Sequence, residues 1–254
     1  MDINKKIGFI VQARTGSVRF PHKTVREFYK GKSILEILIN RIKKIKDIPI
    51  IIATTKNPGD EIIVRIAKNM EVNHYIGSEN NVLKRFIEAA QIFNLDYIIR
   101  ICADNIFLDL DSLNDIILKI KNYPVDYLSY ILSGNRPSIK THFGFWAEIV
   151  SLKALLKIAD ATAEDRHIEH VTSYIYEHPG DFEISFIKAQ EIVYNREDIR
   201  LTIDTEEDFI LQQSIYHNLN FEKKAGSIEE IIDYIDSDQT ILEKMKYQIY
   251  INRK

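Results

Sequence analysis

The feature that most limits how this 254-residue chain can fold is the alternation of two kinds of segment along it. Short runs rich in isoleucine and valine, such as residues 7–11 and 49–54, are followed by longer segments whose apolar residues recur at every third or fourth position. The short runs are typical of buried strands, and the longer segments are typical of helices that pack on a sheet. This order predicts an α/β fold in which helices flank a Rossmann-like, mostly parallel sheet.

The same patterns assign the rest of the chain. They predict further strands at residues 97–102, 183–187 and 199–203, and helices at residues 33–46, 58–70, 82–90, 152–159 and 167–177 and from about residues 206 and 228. After Pro124 the strands at residues 127–131 and 142–150 follow one another without a helix between them, which predicts a small antiparallel extension of the sheet. No linker or repeat interrupts the chain, so residues 1–254 are expected to form a single domain.

The composition argues against several kinds of protein. The 34 Lys and Arg side chains are balanced by 37 Asp and Glu, so a dedicated nucleic-acid binder is not expected. The longest apolar run, residues 50–53, is far below the roughly 18 residues that a membrane span needs, so no membrane partner is expected. The one cysteine, Cys102, cannot form an internal disulfide, and without an export signal we expect a cytoplasmic protein.

The loop after the first strand, residues 12–23, is unusually basic. It carries Arg14, Arg19 and Lys23 together with the Ser17 hydroxyl and Gly16. In open α/β sheets ligands bind outside the carboxyl ends of the strands, and cations beside free backbone N–H groups suit a chain of phosphates. The loop is neither a Walker loop nor a dinucleotide-binding glycine turn, because it has a single glycine. A solvated basic loop is the alternative interpretation.

Two acidic residues follow predicted strands. Asp104 comes after residues 97–102, and Asp204 comes directly after residues 199–203. Mg²⁺ usually takes one or two protein carboxylates and completes its shell with phosphate and water. A turn or helix cap explains either residue equally simply, and at the second site the cap is either Asp204 or Thr205. Taken with the basic loop, the two carboxylates predict a nucleoside triphosphate held through magnesium.

The histidines give a weaker signal. His167 and His170 recur at a spacing that resembles part of a zinc site, but no third ligand is near in sequence and the H-E-x-x-H motif is absent. We interpret these two residues, together with His74 and His142, as structural or substrate-contacting. Cys102 is interpreted as a small buried apolar residue.

Several blocks of the sequence, taken in order, resemble a known family. The loop QARTGSVRFPHK at residues 12–23 is similar to the pattern A-R-x-G-S-x-R-x-P-G-K, and later blocks at residues 52–55, 77–85, 100–104, 169–175 and 200–208 match in sequence order. The chain resembles the CMP-sugar-acid cytidylyltransferase superfamily, the group of CMP-KDO and acylneuraminate synthetases. It looks closest to the spore coat polysaccharide branch, and the likeness spans residues 7–219.

The resemblance implies a fold of the nucleotide-diphospho-sugar transferase type and a CTP-dependent activity. CMP would pass from CTP to a sugar acid, with release of pyrophosphate and a requirement for Mg²⁺, in surface polysaccharide or glycan biosynthesis. It implies catalytic roles for Arg14, Lys23 and Asp104, and metal binding by Asp104 and Asp204. The nucleotide would be held by Ala13, Arg14, Ser17, Arg19, Lys23, Thr54 and Ser78, and the acceptor by His142, Glu148, Glu169 and His170.

The family pattern also carries departures and an expectation about assembly. His22 stands where the family has glycine, and Ile168 stands where the branch often has arginine. Relatives commonly dimerise through a region like residues 123–150, where we expect Tyr127, Tyr130 and Ile131 to be exposed. A homodimer that uses this strand pair is therefore predicted. The alternatives are a nucleotidyltransferase with another nucleotide or a phosphorylated acceptor, and a non-catalytic nucleotide-binding relative.

Overall fold

Strands and helices alternate through the computed structural model, which describes residues 5–224 and 226–252. The strands are β1 (Ile7–Gln12), β2 (Glu27–Tyr29), β3 (Lys32–Ser33), β4 (Ile50–Thr55), β5 (Asn73–Gly77), β6 (Tyr97–Cys102), β7 (Tyr127–Leu132), β8 (Arg136–Pro137), β9 (Glu148–Ser151) and β10 (Ile184–Lys188). The helices are α1 (Ile34–Ile42), α2 (Glu61–Asn69), α3 (Val82–Ile92), α4 (Leu110–Asn122), α5 (Leu152–Ala161), α6 (Asp165–Glu169), α7 (Ser173–Glu177), α8 (Glu191–Tyr194), α9 (Glu206–Asn218), α10 (Phe221–Lys224), α11 (Ile228–Asp236) and α12 (Gln239–Ile251). Within these described ranges, no helix is long and apolar enough to cross a membrane.

Eight of the strands form one sheet, in the order β10, β7, β9, β6, β1, β4, β5, with β8 paired to β7. Strands β6, β1, β4 and β5 are parallel to one another, and β7 is parallel to β10. Strand β9 runs antiparallel to both β6 and β7. The predicted fold, a Rossmann-like and mostly parallel sheet with a small antiparallel part, is confirmed.

Helices cover both faces of the sheet because successive residues of a strand point to opposite sides. In β1, Phe9 and Val11 pack into one apolar core and Ile10 packs into the other. Helix α1 adds Leu38 to the first core, and α3 adds Phe86 to the second. The central strands are thus buried on both faces, and polar chemistry is left to the loops at their ends.

Two predicted strands differ from the structure. In the segment predicted as residues 142–150, the strand begins only at Glu148. Residues 199–203 form no strand at all. Their alternating apolar residues are buried as predicted, but the backbone N–H groups of Leu201 and Thr202 donate to the carbonyl of His142 instead of joining the sheet. The alternation therefore predicted the burial of the three apolar residues correctly. The solvent-exposed face that it predicts for Arg200 and Thr202 is wrong for Arg200, which is fully buried, and the hydrogen-bond partners are not those of a strand.

The helix predicted at residues 167–177 is divided into α6 and α7. Val171 and Thr172 turn inward between the two helices and are buried. The sequence patterns also failed to indicate β5, α4 and the β2–β3 hairpin. The cap of α1 was predicted correctly, because Ser33 accepts a hydrogen bond from the N–H of Glu36 in a capping box.

The exposure predicted for residues 123–150 is wrong. Tyr127 is 0% and Tyr130 is 3% exposed, because both pack into the cores of the same chain. Ile131 is half-buried in β7, whereas Tyr123 is 71% exposed. The apolar residues that suggested a dimer surface are therefore used mainly inside the chain, and the homodimer stays a prediction.

Candidate active site

The loops after β1, β4 and β6 meet at one edge of the sheet. The three strands are neighbours, and Gln12 at the end of β1 is level with Ala53 and Cys102 in the strands on either side. Two adjoining cavities open there, a smaller one of about 310 Å³ and a larger one of about 570 Å³. Cys102, Asp104 and Asp204 line both of them. A ligand in one cavity therefore lies beside a ligand in the other.

The smaller cavity is lined by the three cations and the Ser17 hydroxyl of the predicted basic loop. Arg14, Ser17, Arg19 and Lys23 all line it. The other three residues predicted to hold the nucleotide do not: Ala13 packs in the core, Thr54 is buried in β4, and Ser78 lies in the loop after β5, where its hydroxyl accepts a hydrogen bond from the N–H of Asn81.

Lys23 lies between the two predicted metal ligands. Its Nζ donates to Oδ2 of Asp104 at 2.7 Å, lies 3.8 Å from Oδ1 of Asp204, and also donates to the carbonyl of Ile203. The side chain is 11% exposed. Burial opposes its charge, but Asp104 and Asp204 outweigh burial and raise the pKa of Lys23 above its ordinary value. The sequence predicted that the basic loop and the two carboxylates lie together at the strand ends, and the structure brings Lys23 into contact with both acids.

Asp204 is held from a second side by a buried ion pair. The guanidinium of Arg200 is fully buried and donates to Asp208 through Nε at 2.8 Å and Nη2 at 2.7 Å. Its Nη2 also reaches Oδ2 of Asp204 at 3.2 Å, and its Nη1 lies 3.0 Å from Nδ1 of His142. The cap of α9 is Thr205, so the carboxylate of Asp204 is not needed as a helix cap.

Asp60 fixes the basic loop, and no sequence pattern had pointed to it. Its Oδ1 accepts hydrogen bonds from the N–H and the hydroxyl of Thr15, both at 2.7 Å, and its Oδ2 accepts one from Thr55 at 2.6 Å. Burial opposes its charge, but hydrogen bonds from Thr55 and Thr15 outweigh burial and lower the pKa of Asp60 below 3.8. The signal available in the sequence was the Asn-Pro-Gly-Asp turn at residues 57–60, which begins two positions after the end of β4.

His22 occupies a backbone conformation that explains the glycine of the family pattern. Its φ is 60°, in the left-handed region that glycine enters without strain. Its N–H donates to the carbonyl of Thr15, which closes the basic loop on itself. The loop keeps this conformation although histidine carries a Cβ.

The larger cavity is lined by two of the four predicted acceptor residues, His142 and His170. Glu169 lies at the smaller cavity instead, 3.5 Å from Arg14. Glu148 lies beneath the larger cavity and is 2% exposed. Neither Glu148 nor Glu169 lies on the wall of the larger cavity, because Glu148 is buried and Glu169, at the end of α6, lies beside the basic loop.

Glu148 acts on the larger cavity through its neighbours. Its carboxylate accepts hydrogen bonds from Arg100 at 2.6 Å, from the Thr172 and Tyr176 hydroxyls at 2.9 Å each, and from Tyr127. Arg100, Thr172 and Tyr176 all line the cavity. Burial, together with the Glu148 charge, raises the pKa of Tyr176 well above its ordinary value, so its phenol stays protonated. Glu148 therefore sets the positions of three cavity groups.

Arg85 is a second residue that no sequence pattern singled out. Its guanidinium is completely buried beneath the loop after β5, where Nη1 donates to the carbonyls of Ser78 and Glu79. Among the described residues, its Nε and Nη2 find no hydrogen-bond partner. Burial, helped by the nearby charge of Arg14, lowers the pKa of Arg85 to about 10. A Cβ on Gly77 would come within 2.8 Å of its Cγ, which accounts for glycine there.

Comparison with known proteins identifies the family. A cytidylyltransferase family model matches residues 8–250, so the chain belongs to the cytidylyltransferase family, whose members are nucleotidyltransferases. The chain is 33% identical over 235 residues to the spore coat polysaccharide biosynthesis protein SpsF of Bacillus subtilis, covering 90% of this chain and 93% of that protein. The predicted family and branch are confirmed.

Solved structures agree with the fold. A cytidylyltransferase from Leptospira borgpetersenii is similar with a TM-score of 0.81 and 28% identity, over 94% of this chain and 97% of that one. CMP:2-keto-3-deoxy-manno-octonic acid synthetase complexed with CTP is similar with a TM-score of 0.62 and 11% identity, over 84% of this chain and 99% of that one. At that identity, the second likeness concerns the fold alone.

Proposed function

We propose that this protein transfers CMP from CTP to a sugar acid, with release of pyrophosphate, to supply a surface polysaccharide or glycan. The observation that carries the proposal is the pair of adjoining cavities that share Asp104 and Asp204. One cavity is lined by three cations that suit a triphosphate, Arg14, Arg19 and Lys23, and the other has the size of a small-molecule site. Membership of the cytidylyltransferase family and the likeness to SpsF support CTP and glycan synthesis.

In the proposed reaction an acceptor oxygen attacks the α-phosphorus of CTP and pyrophosphate leaves. Arg14, Arg19 and Lys23 hold the triphosphate from the smaller cavity and neutralise the charge that shifts to the leaving group. The shared wall of the two cavities holds the acceptor beside the phosphorus, which removes most of the entropic cost of bringing the reactants together. No covalent intermediate with the protein is required.

The residues at the shared wall fit a magnesium ion. Asp104 and Asp204 are both hard oxygen ligands, both line the two cavities, and both contact the same ammonium group. Mg²⁺ typically takes one or two protein carboxylates when phosphates and water supply the rest, and this pair matches that number. Bound there, Mg²⁺ would neutralise phosphate charge, and Asp104 and Asp204 would hold it.

The larger cavity supports an anionic acceptor. Arg100, Lys140, His142 and His170 line it together with the aromatic rings of Trp146 and Tyr176. Cationic groups suit a carboxylate, and aromatic faces suit the body of a sugar. His142 and His170 thus keep their proposed acceptor role, and Glu148 holds Arg100, Thr172 and Tyr176 in place beneath the cavity.

A screen of pyrophosphate release tests the proposal. Each of the four nucleoside triphosphates is offered with Mg²⁺ and a panel of sugar acids, sugar phosphates and neutral sugars. We expect turnover with CTP and one or more sugar acids. Turnover only with a phosphorylated acceptor would replace the sugar acid, and turnover only with another nucleotide would replace CTP. No release with any combination would favour a non-catalytic relative.

A homodimer working in the cytoplasm completes the proposal. CTP is an intracellular substrate, and Tyr123 is an exposed apolar side chain in the region proposed for dimer contact. Sedimentation at micromolar protein concentration tests the assembly. A single species at the chain mass of 29.7 kDa would refute the dimer.

A further inference from the structure

The ammonium group of Lys23 occupies the place where a cation held by Asp104 and Asp204 would lie. It contacts both carboxylates, at 2.7 Å and 3.8 Å, and is anchored by the carbonyl of Ile203. A divalent ion bound by both acids would have to share them with this ammonium at close range. Two cations at such a distance repel each other strongly where water is largely excluded.

We propose that Lys23 is a placeholder cation that occupies the two carboxylates in the free protein and leaves them for the triphosphate when a nucleotide binds. This inference rests on the proposed function and adds an order to it. Divalent-ion binding is weak in the free protein, and nucleotide binding strengthens it by drawing the ammonium away.

The position of Lys23 permits this exchange. Its side chain lines the smaller cavity, where the triphosphate is proposed to lie, so its ammonium has a second set of oxygens within the same space. A lysine carries a compact charge on a flexible four-carbon stem, which allows it to change partners without moving the backbone. Arg200 also contacts Asp204 but is less suited, because it is fully buried and fixed by Asp208. Arg19 contacts Asp204 at 2.8 Å and, among the described residues, forms no ion pair with Asp104.

The exchange makes ion and nucleotide binding mutually dependent. If a nucleotide raises the affinity for the ion, the ion raises the affinity for the nucleotide by the same factor. Couplings of this kind typically amount to about 5- to 150-fold. The free protein is thereby protected from holding a divalent ion between its two carboxylates before the substrate arrives.

The decisive measurement uses Mn²⁺ as the probe and no nucleotide. Free Mn²⁺ is counted by electron paramagnetic resonance as the ion is titrated into wild type and Lys23→Met. We expect Lys23→Met to bind one Mn²⁺ per chain at least about 10-fold more tightly than wild type, because the substitution removes the cation that contacts both carboxylates. Equal affinity in the two proteins would overturn the proposal.

Two further variants distinguish release of the carboxylates from a change in net charge and from ion binding at another place. Arg19→Met removes a positive charge that contacts Asp204 at 2.8 Å and, in the part of the chain that the structure describes, forms no ion pair with Asp104. It should therefore change the affinity by less than about 3-fold. If Arg19→Met raised the Mn²⁺ affinity as much as Lys23→Met does, the change in net charge would explain both results and the proposal would be overturned.

The double variant Lys23→Met with Asp104→Asn should lose the tight site. If it stays tight, the ion binds elsewhere and the proposal fails. Thermal unfolding of each variant establishes that it is folded.

The Mn²⁺ titration and the pyrophosphate screen test the two proposals independently, so one proposal can fail without the other. The Mn²⁺ result requires neither CTP nor an acceptor, so it stands even if the acceptor proves to be of another class. Conversely, the wild type could turn over CTP while Lys23→Met binds Mn²⁺ no more tightly than wild type. That result would leave the proposed function intact and overturn the placeholder role of Lys23.

Discussion

Substitution of Asp204 by Asn distinguishes a metal-binding role for this residue from a structural one. Thr205 caps α9, and Arg200 keeps its two hydrogen bonds to Asp208 whatever stands at position 204. Asp204→Asn should therefore change the free energy of unfolding by no more than about 1 kcal/mol. Removal of one charge from the metal site should lower turnover by about 100-fold or more and shift the Mg²⁺ requirement upwards. Pyrophosphate release against Mg²⁺ concentration is the measurement.

The neighbouring residue provides the control. Thr205→Ala removes the cap hydrogen bond to the N–H of Asp208 and should cost about 1 kcal/mol of stability, with turnover reduced far less. Of these two neighbouring substitutions, Asp204→Asn should therefore mainly lower turnover, and Thr205→Ala should mainly lower stability. Superimposable magnesium titrations for wild type and Asp204→Asn would mean that Asp204 does not hold the metal.

Asp60 has a stability effect that depends on pH. Asp60→Ala leaves the buried donors of Thr15 and Thr55 without their acceptor, which should cost about 1–3 kcal/mol at pH 7. A carboxyl whose pKa is lower in the folded state stabilises above its unfolded pKa and loses that contribution as the pH falls through the folded value. Since the folded pKa of Asp60 lies below 3.8, the difference between wild type and variant should narrow only below pH 3.8.

Urea unfolding of both proteins between pH 7 and pH 3 measures this difference. A gap that stays constant down to pH 3 would show that the charge of Asp60 is not what anchors the loop. A fall in the affinity for CTP should accompany the loss of stability, because Thr15 belongs to the basic loop that lines the smaller cavity through its neighbours Arg14 and Ser17.

The site residues found from sequence share a property that the missed ones lack. Arg14, Lys23 and Asp104 line the smaller cavity, and each follows a recognisable strand, so chemistry and position pointed to them together. Asp60 was not predicted at all, and Glu148 was predicted at the acceptor but lies beneath the cavity wall. Both hold other protein groups, and their partners lie as far as 45 and 48 positions away in the chain. Nothing in the local pattern reveals such contacts, because they depend on which loops the sheet brings together.

The buried ion pair between Arg200 and Asp208 connects helix α9 to the site, and we expect it to contribute strongly to the stability of the protein. Arg200 and Asp208 are both fully buried, so Asp208→Ala leaves a charged guanidinium without its bidentate partner. We expect a loss of about 3–5 kcal/mol. Asp236→Ala breaks the exposed pair with Arg196 and should cost no more than about 1 kcal/mol. Urea unfolding of the two variants compares them, and similar losses would contradict the role assigned to burial.

The segment that leads into the same helix shows how far prediction from periodicity reached. Strands β1, β4 and β6 were predicted almost to the residue, because buried parallel strands are continuous apolar runs with clear ends. Strand β5 was missed because four of its five residues are partly or fully exposed. Residues 199–203 alternate as a strand does, yet they pack beneath α12 through the N–H of Arg200 and the sulfur of Met245. The periodicity here showed that the apolar residues are buried, but it showed neither what packs against them nor that Arg200 between them is buried as well.

The chain as a whole builds its two cavities from residues that lie far apart in sequence. Lys23 and Asp204 come from opposite ends of the chain and meet only because β1 and β6 are neighbours and the segment after residue 199 returns to them. A ligand that bridges these parts therefore stabilises the complete fold and not one loop. The effect should appear as a rise in the melting temperature.

We accordingly expect CTP with Mg²⁺ to stabilise the protein more than ATP, GTP or UTP does. At a nucleotide concentration 100-fold above the dissociation constant, binding adds about 2.7 kcal/mol, which corresponds to a rise of about 5–10 °C for a chain of this size. Because Asp104 and Asp204 are proposed to share the ion, omission of Mg²⁺ should remove most of the rise for wild type and should matter less for Asp204→Asn. Thermal unfolding with each nucleotide, with and without Mg²⁺, gives the comparison. A larger rise with ATP or GTP than with CTP would contradict the proposed base preference, and a rise independent of Mg²⁺ would contradict the role assigned to the two carboxylates.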